Sequence, residues 1–151
     1  LKASLGARRV LWLDHGFLQG DDTDSHIDTL ARFAPGDTIV HVSCDDRMRR
    51  QLALFRSAAG RPYRLLPLPM PRPIYDRKKN RLPATYANFL VINGAVLVPL
   101  YSDAADDTAR EILGRAFPGL KIVGIPCRPL IKEHGSLHCV TMQIPKGVLR
   151  E

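Results

Sequence analysis

Hydrophobic and polar positions follow the same order along two stretches of the chain. In the first stretch, residues 27–43 hold two β-prone runs on either side of the turn-forming residues 35–37, a combination typical of a hairpin. Residues 45–59 then carry apolar side chains at helical spacing and end at Gly60, and residues 63–68 form another β-prone run. The pattern therefore predicts strand, strand, helix and strand in that order.

The second stretch repeats this order. Residues 89–92 and 96–100 flank Asn93-Gly94, which is a strong signal for a two-residue hairpin turn. An amphipathic pattern over residues 104–117 predicts a helix, and residues 120–124 predict a strand. The sequence thus predicts an α/β protein assembled from repeated ββαβ units.

Three segments lie outside these two units. Residues 10–13 form a short apolar run bounded by charge, which predicts a buried strand with Trp12 in the core. Residues 136–144 predict the first strand of a third unit. The proline-rich connector, residues 67–83, contains the charged run 76–81, and this run is predicted to be a solvated surface loop.

The composition fits one soluble globular domain over residues 1–151. Hydrophobic residues make up 45% of the chain and charged residues 25%, and no run approaches the roughly 20 apolar residues that a membrane span needs. Three cysteines without a C-x-x-C pair favour neither a disulfide framework nor a structural zinc site. The chain begins without Met and has no signal-peptide core. We therefore expect a fragment of a longer cytoplasmic protein that does not bind a membrane.

The excess of positive charge is the main compositional anomaly. A net charge of +7 is compatible with a nucleic-acid partner. However, the basic residues are scattered along the chain, and no RNA- or DNA-binding motif accompanies them. We therefore expect no nucleic-acid partner.

The candidate chemistry lies at the starts of the units. His26 and Asp28 open the first unit, Asn88 opens the second, and Cys139 lies at the start of the predicted third unit. Corresponding strand starts in a pseudo-symmetric array converge on one end of its axis, so these side chains are predicted to meet. A cysteine beside a histidine is the minimum for thiol nucleophilic catalysis, because the attacking thiolate needs a nearby proton acceptor.

Three motifs around these residues resemble one family. Residues 20–33 resemble the D-T-x-[SG]-H-[IV]-D signature of agmatine deiminases and bacterial peptidyl-arginine deiminases. Residues 86–94 resemble the second motif of that family. Residues 135–145 resemble its nucleophile segment, G-x-[IL]-H-C-[IV]-T-x-Q-x-P. The three motifs occur in family order and cover nearly the whole chain, which makes the combination specific.

The resemblance implies the pentein fold, in which five ββαβ units surround a pseudo-fivefold axis. This chain would supply about the last three units and form a C-terminal fragment of the catalytic domain. The missing N-terminal half of the same enzyme, which would carry a second guanidinium-binding carboxylate, is then an expected partner. A homo-oligomer, most simply a dimer, is also expected.

The resemblance also implies a reaction. Cys139 would attack the guanidinium carbon of agmatine, a small cationic substrate, and His26 would supply the proton with which ammonia leaves. Water deprotonated by His26 would hydrolyse the covalent thiouronium, giving N-carbamoylputrescine for putrescine and polyamine synthesis. Asp28 would pair with the guanidinium. No metal and no cofactor are expected, because the leaving group is protonated and the carbon is already electron-poor.

Several nearby residues allow two interpretations. Asn88 and Asp22 are candidates for substrate binding, but Asn88 is equally a turn cap, and Asp22 and Asp24 are equally stabilisers of their own loop. His138 is predicted to pack on the opposite face of the strand from Cys139. The role of His134 stays open. The two other cysteines, Cys44 and Cys127, are predicted to be small buried hydrophobes.

Four alternative functions remain. A peptidyl-arginine deiminase would use the same chemistry and give citrulline, and an amidinotransferase would pass the amidino group to an amine. From another class, the chain would be a non-catalytic binding fragment. A cysteine protease is the fourth, but neither the papain nor the caspase signature surrounds Cys139. The match of the first and third motifs favours the agmatine type.

Overall fold

The computed structural model describes residues 2–21, 26–144 and 147–148. It is a mixed α/β structure with two three-stranded sheets. The helices and strands are α1 (Lys2–Leu5), β1 (Ala31–Ala34), β2 (Thr38–Val42), α2 (Asp46–Leu54), β3 (Arg64–Leu68), β4 (Leu90–Ile92), β5 (Ala95–Leu100), α3 (Asp106–Ala116) and β6 (Lys121–Pro126). Short 3₁₀ helices occupy Ile27–Thr29, Tyr86–Asn88 and Leu130–Glu133.

The two sheets have the same topology. In the first, β1 pairs antiparallel with β2, and β2 pairs parallel with β3 after the α2 crossover. In the second, β4 pairs antiparallel with β5, and β5 pairs parallel with β6 after α3. The predicted ββαβ order is therefore confirmed for both units. Both hairpins turn where backbone φ is positive, at Gly36 (70°) and Asp37 (52°) and at Gly94 (81°), because tight hairpin turns require this conformation.

The two units share one hydrophobic core. The middle strand β2 is buried at all five positions, as expected for a strand with a neighbour on each side and a helix over one face. Phe89, at the start of the second unit, packs edge-on against Phe117 at the end of α3, with ring centroids 5.4 Å apart. Helix α3 also contacts β3 of the first unit. This shared core fixes the starts of β1 and β4 relative to each other.

The strand predicted over residues 10–13 is wrong. These residues form no strand, and Trp12 is 68% exposed rather than part of the core. The side chain of Gln51 on α2 satisfies the backbone instead: its Nε2 donates to the Trp12 carbonyl at 3.1 Å, and its Oε1 accepts from the Asp14 N–H at 2.9 Å. An apolar run becomes a strand only when a neighbouring strand completes its hydrogen bonds.

Two further predictions need correction. Helix α2 ends at Leu54 rather than at Gly60, because Phe55 turns to an extended conformation and Arg56 forms a β-bridge with Pro62. Residues 136–144 contain no strand; residues 137–140 form a turn, in which the Thr141 N–H donates to the His138 carbonyl at 3.1 Å. The predicted third unit is therefore absent from the described part of the chain.

The charged run 76–81, in the connector between the units, agrees with its prediction as a surface loop. Residues 77–80 are exposed, and the carboxylate of Asp76 accepts from the backbone N–H groups of Lys78 and Asn80, both at 2.8 Å. None of the helices within the described residues has the length and hydrophobicity needed to span a bilayer.

Candidate active site

The two units present equivalent 3₁₀ helices just before their first strands. Asp28 lies in Ile27–Thr29, ahead of β1, and Asn88 ends Tyr86–Asn88, ahead of β4. Local capping forms both turns: the Thr29 hydroxyl donates to the His26 carbonyl at 2.7 Å, and the Thr85 hydroxyl accepts from the Ala87 N–H at 3.1 Å. The repeat therefore brings Asp28 and Asn88 to the same place.

Asn88 connects the carboxylate to the segment that carries the cysteine. Its side chain is fully buried, and its Nδ2 lies 3.1 Å from the Asp28 Oδ2 and 3.2 Å from the Cys139 Sγ. Its Oδ1 accepts from the backbone N–H groups of His138 at 2.8 Å and Cys139 at 3.3 Å. One amide thus fixes the position of the thiol relative to the carboxylate.

Asp28 is the charged centre of this cluster. Its Oδ2 accepts a hydrogen bond from the His138 Nδ1 at 2.7 Å and lies 3.7 Å from the Cys139 Sγ. Burial opposes ionisation of the carboxyl, but hydrogen bonds and charges from His138, Cys139 and Arg32 outweigh it and hold the pKa of Asp28 below its ordinary value of 3.8. The carboxylate is therefore ionised at neutral pH.

The prediction that His138 is a packing residue is wrong. Because residues 137–140 form a turn rather than a strand, His138 and Cys139 do not point to opposite faces, and the His138 ring contacts Asp28. The side chain is only partly buried. Its position directly before the cysteine is the signal in the sequence that could have indicated this contact.

The structure places His26 in the same pocket, but apart from the hydrogen-bonded cluster. The pocket is open and is lined by Asp21, His26, Asp28, Thr29, Glu133, His134, Gly135, His138, Cys139, Val140 and Thr141. His26 is exposed, and no residue that the structure describes accepts or donates a hydrogen bond to its ring. Asp22 and Asp24, the other predicted loop residues, lie outside the described residues.

Gly135 allows the chain to pack closely behind the cysteine. A Cβ at this glycine would lie 3.2 Å from the Cβ of Cys139, closer than most side-chain contacts. His134, next to it, lines the pocket and adopts a left-handed backbone conformation, with φ of 59°. The tight turn therefore leaves the Cys139 side chain exposed to the pocket.

Arg32, on β1, contacts Phe89, the residue that follows Asn88. Its Nη1 donates to the Phe89 carbonyl at 2.9 Å, and its guanidinium lies 5.0 Å from the centroid of the Phe89 ring. Burial lowers the pKa of Arg32, while the charges of Asp28 and Cys139 act in the opposite direction. Arg32 thereby links the first strand of one unit to the residue that follows Asn88 in the other. The sequence placed Arg32 in a motif without assigning it a role.

The other two cysteines lie away from this pocket. Cys127 is fully buried, which agrees with its prediction, and burial raises the pKa of its thiol. Cys44 is exposed, contrary to its prediction, while partial burial of its sulfur beside the Phe17 carbonyl raises the pKa of the thiol. A raised pKa keeps both thiols protonated at neutral pH. Neither is therefore a good nucleophile, since the thiolate is the reactive form.

The fold and the site define a protein of repeated ββαβ units with a thiol, a carboxylate and an imidazole grouped at one end of the units. The family comparison agrees with this class. The chain belongs to the Porphyromonas-type peptidyl-arginine deiminase family, whose model matches residues 1–145.

Solved structures that superpose on this chain are named as arginine deiminases or agmatine deiminases. The "Putative Arginine Deiminase from Porphyromonas gingivalis" is 54% identical and superposes with a TM-score of 0.92 over 99% of this chain and 47% of its own. A cysteine-to-serine variant of C. jejuni agmatine deiminase with substrate bound is 41% identical, with a TM-score of 0.80 over 91% of this chain and 42% of its own.

A curated sequence gives the same result. The "Putative agmatine deiminase" of Vibrio parahaemolyticus is 36% identical over 96% of this chain and 47% of its own length. The chain therefore spans about half the length of the relatives it matches.

Proposed function

We propose that this chain carries the nucleophile of an enzyme that hydrolyses guanidino groups. One observation carries the proposal: the buried side-chain amide of Asn88 contacts both Asp28 and Cys139, with the Cys139 Sγ 3.2 Å from the Asn88 Nδ2. The deiminase names of the relatives support the substrate class.

In the proposed reaction, the Cys139 thiolate attacks the guanidinium carbon and forms a C–S bond. The C–N bond to one terminal nitrogen then breaks, and His26 gives that nitrogen the proton with which it leaves as ammonia. A water deprotonated by His26 attacks the resulting thiouronium carbon. The adduct then loses its hydroxyl proton to solvent as the C–S bond breaks, which restores the thiolate and gives a urea as the product.

Asp28 and Asn88 have complementary parts in this scheme. The ionised Asp28 carboxylate attracts the planar guanidinium and favours paired hydrogen bonds with it. The Oδ2 of Asp28 accepts from His138 at 2.7 Å and from Asn88 at 3.1 Å, so the substrate has to displace one of these donors to pair with both carboxylate oxygens. The amide N–H of Asn88 lies 3.2 Å from the sulfur and holds it in position for attack.

The particular substrate that we propose is agmatine, with N-carbamoylputrescine and ammonia as products. Peptidyl-arginine is the second candidate, because the matching family model bears that name. We further propose that the parent protein forms a five-unit propeller, in which the half absent from this chain provides the second carboxylate and the residues that distinguish the two substrates. Asp22 remains a candidate substrate ligand.

The test measures ammonia and ureido product from agmatine, arginine and a peptidyl-arginine with the parent polypeptide that contains this chain. Replacing the nucleophile in Cys139→Ser is expected to lower kcat by roughly 10⁴-fold or more, while Cys44→Ser retains activity. The preferred substrate is the one with the highest kcat/KM. If none of the three compounds gives a ureido product, the proposal is wrong and the non-catalytic alternative is favoured.

A further inference from the structure

A buried tyrosine lies beneath the three segments that form the site. Tyr101 follows β5 and is 1% exposed. Its hydroxyl donates to the Thr85 carbonyl at 2.9 Å, accepts from the Thr85 N–H at 3.3 Å, and lies 3.0 Å from the Ser136 Oγ. With Ser136 as donor, the one proton and both lone pairs of the phenol oxygen are used.

Thr85 extends these contacts to the first unit. Its hydroxyl donates to the Thr29 carbonyl at 3.0 Å and accepts from the Ala87 N–H at 3.1 Å. Thr29, Thr85 and Ser136 are all buried, at 8%, 0% and 3% exposure. The result is one continuous polar network in a region without access to water, where each bond is costly to lose.

The network joins the site segments at fixed distances from the proposed site residues. Thr29 directly follows Asp28, Thr85 lies three residues before Asn88, and Ser136 lies three residues before Cys139. A shift of the backbone in any of these three segments therefore moves the proposed site residue that the segment carries. The phenol group of Tyr101 is a second connection, besides Asn88, between the start of the second 3₁₀ helix and the cysteine segment.

We propose that Tyr101 is a positioning residue that holds Cys139 and Asn88 in register for attack. Its effect on turnover rests on the proposed function, whereas its effect on the position of the thiol does not. Burial raises the pKa of Tyr101, so the phenol stays protonated and keeps its donor at neutral pH.

The variant Tyr101→Phe tests this role, and Tyr86→Phe is the matched control. Both tyrosines are buried in the same core with ring centroids 5.5 Å apart, but the Tyr86 hydroxyl donates to Asp106 of α3 at 2.6 Å and has no hydrogen bond to Thr85 or Ser136. Each variant removes one buried hydroxyl and keeps the ring. Both are therefore expected to lower the melting temperature.

The decisive readout is the chemistry of Cys139. The rate of its alkylation by iodoacetamide is measured against pH in a Cys44→Ser background, together with kcat and KM in the parent polypeptide. Tyr101→Phe is expected to shift the alkylation profile and to lower kcat by roughly 10- to 100-fold, as displacement of a reacting group does. Tyr86→Phe is expected to leave the alkylation profile unchanged and kcat within about twofold.

The outcomes separate this inference from the proposed function. Equal alkylation profiles and kcat values for the two variants would overturn the positioning role, whatever their melting temperatures. If Tyr101→Phe does not fold, Ser136→Ala replaces it, because it removes the hydrogen bond between Tyr101 and the cysteine segment while the phenol keeps its two bonds to Thr85; an unchanged profile in this variant would overturn the inference. A shifted profile in a protein that makes no ureido product would support the inference and reject the proposed function.

Discussion

At the scale of single residues, the site depends on one side chain whose hydrogen-bonding capacity is fully used. The Nδ2 of Asn88 faces an oxygen of Asp28 and the sulfur of Cys139, and its Oδ1 accepts two backbone N–H groups. An aspartate of the same shape would offer no donor and would add a second negative charge beside Asp28. Only a neutral amide both donates to the thiol and accepts from its backbone.

The ionisation of Asp28 gives the first stability prediction. The folded protein lowers the pKa of this carboxyl below 3.8, so its stabilisation is present above the unfolded value and is lost as the pH falls through the folded value. Asp28→Asn is therefore expected to lower the melting temperature at pH 7, with the difference from wild type shrinking below about pH 4. Thermal unfolding followed from pH 7 to pH 2.5 measures this difference. A difference that does not change with pH would mean that the charge of Asp28 does not stabilise the fold.

The sequence predicted part of the site, and the limit has a physical reason. Asp28 and Asn88 come together because equivalent positions of the two repeated units meet, and this register is readable from the chain. Cys139 joins them from a turn, through the hydrogen bonds that its segment makes with Asn88. The contact between His138 and Asp28 depends on a turn that brings together residues 110 positions apart. Strand alternation, applied to a segment that forms no strand, gave His138 the wrong orientation.

At the scale of elements, local signals were sufficient where the hydrogen-bonding partner is close in sequence. Both hairpins and both longer helices were predicted, because turn residues and helical spacing act within a few positions. The strands predicted over residues 10–13 and 136–144 are absent from the described structure, because a strand requires a partner that its own sequence does not identify. The early end of α2 has the same origin, since the Arg56–Pro62 bridge competes with another turn of helix.

The start of α2 provides the second stability prediction. Asp45 is its N-cap, and its carboxylate accepts from the Met48 N–H at 2.9 Å. Asp45→Ala is expected to lower the free energy of unfolding by about 1 kcal/mol, as measured by urea denaturation. Asp46→Ala, one residue further on, removes only an exposed ion pair with Arg49 and is expected to cost less than about 0.5 kcal/mol. Equal losses would contradict a capping role for Asp45.

At the scale of the whole molecule, the two units share a core, and among the residues that the structure describes no strand pairs with the outer side of β1. Strand β1 is at the edge of its sheet. An apolar groove beside it is lined by residues that include Leu13, Ile27 and Phe33. Phe33 is 63% exposed, and nearby Trp12 is 68% exposed. Open strand edges and apolar patches of this kind favour association.

We therefore expect the 151-residue chain to self-associate through the β1 edge. Light scattering across a concentration series is expected to show dimers or larger species for the wild-type chain. Phe33→Lys is expected to shift the distribution towards monomer, because a charged side chain on an edge strand opposes strand pairing. Tyr75→Lys is the matched control, since Tyr75 is 56% exposed but lies in the connector between the units. A monomeric wild-type chain that unfolds cooperatively would contradict the prediction, and an equal effect of both variants would place the contact elsewhere than β1.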